Sequence, residues 1–156
     1  MYRNVQDFSK DWHSSSKGTL NVMKAITDDK MGQAIVDGHN TLGWLAWHLV
    51  SVGGAFGHFA GLQIPAPGPN MEAPNNMADI IEAYEMVIEG YKKAVETMTD
   101  EQLLEEVQAF GGAMLRGQLL RTLIDHQTHH RGQMTVLLRQ AGLSVPPVMG
   151  PTAEMN

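Results

Sequence analysis

Residues 119–140 read LLRTLIDHQTHHRGQMTVLLRQ, and apolar side chains recur in this stretch every three or four positions. That spacing predicts an amphipathic α-helix, because an α-helix turns once per 3.6 residues. His126 and His130 are four positions apart, so their imidazoles stack on one helical face and can approach one ion. The stretch therefore predicts a long helix that carries two candidate metal ligands.

A helical wheel separates the three histidines of this stretch. At about 100° per residue, His130 lies roughly 40° from the centre of the apolar face, His126 roughly 80° and His129 roughly 140°. We therefore expect His126 and His130 to border the core, and His129 to point towards solvent or another chain. His126 with His129 is an alternative pair at i,i+3 spacing, which the burial pattern disfavours.

Three further long helices follow from the same periodicity. The first covers about residues 4–27, and the second runs from a cap at Asn40 or Thr41 to about Gly61. The third opens at Asn75 or Asn76 and continues through Val95. Three prolines within residues 64–70 predict a loop between the second and third helices.

The segment before the last helix resembles a capping box, and it predicts a short helix from Thr99 to about Val107. The last long helix then begins at Met114 or Leu115 and ends at Gln140, followed by the helix-stopping Gly142. No convincing strand alternation is present, so the pattern predicts an all-α four-helix bundle with a short extra helix before the last long one. We expect a single domain over residues 1–156, in which residues 144–156 form an extended tail that packs as a strap or frays.

The amino-acid composition excludes or disfavours several classes of function. The 156 residues include no cysteine, which suits a reducing compartment and excludes a protein thiol as nucleophile or metal ligand. With 11 Lys and Arg against 17 Asp and Glu, the net charge of −6 argues against a nucleic-acid partner. The polar N-terminus lacks the apolar core of a secretion signal, so we expect a cytoplasmic protein.

One charge-free stretch, residues 41–62, is long enough to span a bilayer. Its histidines, its several glycines and the lack of Lys or Arg at its ends argue against a membrane span. A helix buried on most sides explains the stretch better, and we expect no membrane partner.

Within this second helix, His48 shares a stripe with Trp44, Val52, Ala55 and Phe59, so the pattern predicts that His48 is buried. A lone histidine on such a face is usually a core residue. Three inward histidines on two helices change that interpretation, because burying several unpartnered imidazoles costs free energy each time and one shared metal ion satisfies them together. We expect His58 at the rim of the metal site, and His13 and His39 at the surface or in turns.

The neighbours of the histidine pair leave alternatives open. Gln127 stands where the H-E-x-x-H metalloprotease motif has its glutamate base, which disfavours peptide hydrolysis by that route. Arg131 and Gln133 are candidates for substrate contact, with a structural ion pair as the alternative for Arg131. Asp125 could orient a histidine, or it could cap the surface of the helix or form an inter-helix salt bridge. Small residues elsewhere predict close helix packing or a dimer contact at Gly53, Gly54, Gly57 and Gly132, and either a cavity or relief of crowding at Ser15 and Ser16.

This combination resembles the DinB/YfiT-like family (DinB superfamily) of proposed metalloenzymes. The resemblance covers the chain from the first helix to Gly142, and its motifs are Trp44-Leu45-Ala46-Trp47-His48-Leu49 and His126-x-x-x-His130-Arg131-Gly132-Gln133. It implies an up-down-down-up four-helix bundle, commonly a homodimer, with a divalent ion held by one histidine of the second helix and two of the fourth. Carried over residue by residue, the metal ligands are His48, His126 and His130, which are also the histidines that the burial pattern selects.

Three neutral imidazoles leave open positions on Zn²⁺, Ni²⁺ or another divalent ion. A water that binds there can ionise and attack an electrophile, or a substrate thiol can become the nucleophile. Some members of the family that the chain resembles use low-molecular-weight thiols, so we predict a thiol-dependent S-transferase acting on small molecules. The alternatives are a metal-dependent hydrolase and a non-catalytic metal-binding stress protein. Closure of the metal shell by His58 or a carboxylate would favour the last of these, and the sequence names no catalytic residue.

Overall fold

Four long helices form the framework of the protein in its computed structural model, which describes residues 1–68 and 70–155. They are α1 (Val5–Lys24), α2 (Leu42–Phe59), α3 (Met77–Thr97) and α4 (Arg116–Gln140). Short 3₁₀ helices lie at Asp28–Lys30, Glu101–Leu104 and Ala153–Met155. The principal contacts of α1 and of α2 are with α3 and α4, so each helix of the first pair packs on both helices of the second. The predicted all-α four-helix bundle is confirmed.

Side-chain caps explain where three of the helices begin. The Asn4 side chain accepts hydrogen bonds from two backbone N–H groups of the first turn of α1. Thr41 Oγ1 accepts from Trp44 N at 3.1 Å, and Asn76 Oδ1 accepts from Asp79 N at 2.9 Å. Each bond satisfies a backbone N–H that has no partner inside its own helix. Of the alternatives predicted for α2 and α3, the caps are therefore Thr41 and Asn76.

The predicted loop and tail are present as irregular structure, although Pro69 in the loop and Asn156 at the chain end lie outside the described residues. The tail packs on α4. Val145 is buried, Thr152 Oγ1 donates to its carbonyl oxygen at 2.9 Å, and Arg139 Nε donates to Glu154 Oε1 at 3.0 Å. Of the two states predicted for this tail, the packed strap is the one observed.

A β-hairpin replaces the second half of the predicted short helix. β1 (Glu106–Ala109) pairs antiparallel with β2 (Gly112–Leu115), so the helix predicted through Val107 is wrong beyond Leu104. The turn explains the difference. Phe110 and Gly111 both have positive φ, of 53° and 82°, which is the backbone twist of a two-residue hairpin turn. Residues 109–112 therefore form a hairpin turn rather than the end of a helix.

The buried face of α2 differs from the predicted stripe. Its buried members include the apolar residues Leu42, Leu45, Ala46, Leu49, Val50 and Phe56. His48 is only half-buried, and Trp44 is 45% exposed, so the prediction of a buried stripe is wrong. Because α2 is apolar around most of its circumference, spacing alone cannot identify the face that meets the core. Among residues 1–68 and 70–155, no helix combines the length and the apolarity needed to cross a membrane.

Glycine packing agrees with the prediction on α2 but not on α4. A Cβ at Gly53 would lie 2.7 Å from Val87 Cγ1, and a Cβ at Gly57 would overlap the Ile64 side chain. These two positions need glycine for close approach. At Gly132 a Cβ would meet no described atom within 4 Å, so close packing within the chain is not observed there, and the alternative of a dimer contact stays a prediction.

Candidate metal centre

The structure brings together the three histidines that the sequence singled out. His48 comes from the middle of α2, and His126 and His130 come from consecutive turns of α4. One ring nitrogen from each lies within 4.8 Å of the other two. The ring centroid of His48 is 4.7 Å from that of His130 and 5.2 Å from that of His126. Packing of α2 on α4 therefore adds a third imidazole to the pair that α4 supplies alone.

The spacing of the rings fits a shared ion. His126 Nε2 and His130 Nε2 are 3.2 Å apart. Zinc–imidazole bonds of roughly 2.0–2.1 Å in a tetrahedral arrangement place two nitrogens about 3.3 Å apart. The observed separation between the two nitrogens matches that value, so this group could bind a metal ion with little movement of the α4 ligands.

Burial keeps two of the rings neutral. Desolvation, together with smaller repulsions from His130, His48 and His129, lowers the pKa of His126 to about 4. Desolvation also lowers the pKa of His48, with a smaller contribution from His130. A neutral imidazole has a free lone pair, which is what a transition metal requires of a histidine ligand. The donor set is therefore chemically suited to a divalent ion.

Gln133 fixes the orientation of His130. His130 Nδ1 lies 2.7 Å from Gln133 Oε1, and because an amide oxygen only accepts, the ring must donate its Nδ1–H. The lone pair then remains on Nε2, which faces His126. The amide nitrogen of Gln133 lies 3.3 Å from His129 Nε2, to which it can donate. Gln133, a candidate for substrate contact, therefore lies where it can position a ring of the cluster, and its contact with substrate stays a prediction.

Other candidates lie outside the cluster. His129 is exposed, as predicted, and His58 is exposed as well. Among residues 1–68 and 70–155, no fourth histidine or carboxylate belongs to the group, so the structure does not close it with His58 or an acid. Asp125 accepts a 2.6 Å hydrogen bond from Arg121 Nη2, so the predicted inter-helix salt bridge is replaced by a surface salt bridge within α4.

Gln127 points away from the cluster. It is fully buried, and its Oε1 accepts a 2.8 Å hydrogen bond from the Tyr84 hydroxyl on α3. The residue at the metalloprotease glutamate position is thus a core residue in this protein. No base for peptide hydrolysis is supplied from that position.

Arg131 holds α4 against α1. Its Nη1 donates to Ser15 O at 2.9 Å, to Ser15 Oγ at 3.2 Å and to Thr19 Oγ1 at 3.3 Å, and Nη2 donates to Thr128 Oγ1 at 3.4 Å. Within the described residues it has no ion-pair partner, so the predicted ion pair is replaced by neutral oxygen acceptors. The polar residue Ser15 on the buried side of α1 is explained as one of these acceptors.

Comparisons with known proteins agree with the four-helix fold and identify a family. The family profile described as DinB family matches residues 1–155. The chain is 37% identical over 155 residues to "Uncharacterized protein YrdA" of Bacillus subtilis strain 168, covering 99% of this chain and 93% of that protein. The crystal structure of a DinB-like protein from Bacillus cereus ATCC 10987 matches with a TM-score of 0.90 and 36% identity, over 95% of this chain and 99% of the other. The DinB-like protein YjoA of Bacillus subtilis shares the fold, with a TM-score of 0.73 at 20% identity over 90% of this chain and 96% of the other.

Replacing Arg131 by Met should lower the free energy of unfolding by about 1–3 kcal/mol, because it leaves buried acceptors on α1 without a donor. Urea denaturation of chelator-treated protein measures this without a contribution from metal. Arg139→Met is the matched control on the same helix, since its exposed pair with Glu154 should contribute at most about 1 kcal/mol. Equal losses in the two variants would show that the Arg131 hydrogen bonds do not stabilise the bundle.

Proposed function

The chain belongs to the DinB family, and from that premise we propose that it is a divalent-metal-dependent S-transferase that joins a small-molecule thiol to an electrophile. In this proposal His48, His126 and His130 hold the ion, with zinc or nickel as the expected metal. Three imidazoles that converge within 4.8 Å, with no fourth ligand in the described part of the chain, support an open site of the kind found in catalytic rather than structural centres.

A divalent ion in this position supplies a charge that lowers the pKa of a thiol or water bound at its open positions. The protein's own residues prepare the site for it. Burial keeps His48 and His126 unprotonated, and Gln133 holds a proton on His130 Nδ1 so that the Nε2 lone pair stays available. Before the ion binds, His48 and His126 are therefore neutral, and the Nε2 lone pair of His130 is available.

The orientation of Gln127 supports a thiol rather than water as the nucleophile. Attack by water needs a group that removes a proton while the new bond forms. Gln127 is turned into the core towards Tyr84, and the neighbouring Asp125 is paired with Arg121 on the surface. A thiol that has already lost its proton needs no such base, which favours transfer of a thiol over hydrolysis.

The thiol must come from a substrate, because the chain has no cysteine. In the proposed reaction the thiol releases its proton to solvent, and a sulfur lone pair forms a new bond to carbon of the electrophile. The bond from that carbon to the leaving group breaks, and the leaving group departs with its electron pair. The homodimer and the cytoplasmic location stay predictions.

Metal binding tests the ligand assignment. Protein purified without an affinity tag should contain about one divalent ion per chain, and His48→Ala, His126→Ala and His130→Ala should each lose most of it, because two imidazoles bind weakly. Elemental analysis measures the metal content. His129→Ala is the matched control and should keep the wild-type content, since this exposed histidine lies outside the cluster. Full occupancy in the first three variants would refute the assignment.

Gln133→Leu should weaken metal binding about 10–100-fold, because His130 loses the acceptor that holds its proton on Nδ1. Competition with a chromophoric chelator measures the affinity. Gln133→Glu should retain wild-type affinity, since a carboxylate oxygen accepts the same hydrogen bond. Gln118→Leu, an exposed change on the same helix, is the control. If Gln133→Leu binds metal as tightly as Gln118→Leu does, Gln133 has no positioning role.

Turnover assays separate the candidate reactions. Metal-loaded protein incubated with a small electrophile should form a thioether only when a low-molecular-weight thiol is present, as detected by mass spectrometry of the product. His126→Ala should abolish this turnover, and His129→Ala should preserve it. Hydrolysis of the electrophile at an equal rate without thiol would instead support the metal-dependent hydrolase.

A further inference from the structure

Phe110, at the tip of the β1–β2 hairpin, adopts an unusual backbone conformation. Its φ is +53°, and no other non-glycine residue in the described part of the chain has a positive φ. The left-handed region is unfavourable for side chains with a Cβ, and a bulky aromatic residue there is a genuine outlier. Hairpin turns of this kind normally use asparagine, aspartate or glycine at this position. The turn therefore retains a residue that its own backbone disfavours.

Burial does not explain why Phe110 is retained, because its side chain is 61% exposed. The ring lies edge-on to two aromatic rings of α2, with centroids 5.1 Å from Phe56 and 5.4 Å from Phe59. Phe56 is in turn 5.9 Å from His126. The hairpin thus places an exposed aromatic ring against Phe56, the residue whose ring lies near His126.

A second exposed aromatic ring lies on the His48 side. Trp44, one helical turn before His48, stacks on that histidine with a centroid distance of 4.7 Å and an interplanar angle of 12°. It remains 45% exposed. Val52 and Phe59, which belong to the same stripe of α2, are half-buried. The stripe predicted as buried is therefore a partly exposed apolar edge that contains one histidine of the cluster.

Charge is absent from this edge. α2 contains no Asp, Glu, Lys or Arg, and neither do residues 109–112 of the hairpin. Asp125 and Arg121 of α4 neutralise each other in a surface salt bridge. An anionic or cationic substrate group would find no partner of opposite charge on α2 or on the hairpin turn, whereas an apolar group would be desolvated by the ring of Phe110.

We propose that Phe110 binds a flat apolar group, such as an aryl ring, on the small molecule that occupies the histidine cluster. The proposal rests on the thiol-transferase function above and narrows its substrates to neutral, aryl-bearing compounds. Aromatic rings attract one another at centroid distances of about 4.5–7 Å, so the exposed ring of Phe110 favours an aryl ring that extends from the cluster. Residues with strained backbone cluster at active sites and ligand-binding sites.

The test compares thiols that differ in their apolar group. Cobalt(II) bound to the protein reports thiolate coordination by its absorption, and benzyl mercaptan and 2-mercaptoethanol are the two probes. Wild-type protein should bind benzyl mercaptan about tenfold more tightly, and Phe110→Gly should remove most of that preference, as expected from loss of one aromatic contact. Phe110→Tyr keeps the ring and should keep the preference.

Thermal unfolding of the metal-free variants separates recognition from structure. Phe110→Gly should unfold at the wild-type temperature or above it, because glycine adopts positive φ without strain. A lower unfolding temperature together with an unchanged thiol preference would show that the ring is structural and would overturn the proposal. A change in oligomeric state on size exclusion would assign the ring to contact between copies of the chain and would also overturn it.

One outcome of the cobalt experiment tests the proposed thiol-transferase function itself. If wild-type cobalt protein binds neither thiol, the thiol-transferase proposal fails, and the aryl recognition built on it fails as well. If both thiols bind with equal affinity, only the aryl recognition fails.

Discussion

Packing of α2 on α4 is the contact on which the histidine cluster depends. Helical geometry alone places His126 and His130 on one face, but a third ring within reach requires another helix at the right height and rotation. The same packing removes water from the rings, and this desolvation lowers the pKa of His126 and of His48. The burial of α2 against α4 thus determines both the positions of the three histidine rings and the protonation states of His126 and His48.

Side chains of the motif His130-Arg131-Gly132-Gln133 have two different structural roles within one helical turn. His130 and Gln133 face the cluster, where the glutamine holds the ring by a 2.7 Å hydrogen bond. Arg131 points to the opposite side and donates to backbone and hydroxyl oxygens of α1. A buried guanidinium with several neutral acceptors resists rotation of α4 about its axis, because any turn would leave donors unpaired. The arginine therefore stabilises the orientation of the histidines without touching them.

The helices and the α4 pair could be predicted from sequence because both follow from a strong local period, as the confirmed bounds near Lys24, Thr97 and Gln140 show. The position of His48 required more than period, since α2 is apolar around most of its surface. The hairpin was missed because each strand has only four residues and its turn uses phenylalanine where asparagine or glycine is usual. The role of Gln133 depends on its side-chain rotamer, which cannot be predicted from the spacing of residues in the sequence.

The histidines of the cluster come from distant parts of the chain, His48 from the first third and the α4 pair from the last fifth. Bringing the two parts together costs loop-closure entropy before any contact between them is gained. A segment that ends within α2 contains only one of the three rings, so the cluster can form only after α4 has been synthesised and packed on α2. The proposed ion, if it needs all three rings, would therefore bind after these two helices have met, whereas zinc binding and folding occur together in small finger domains.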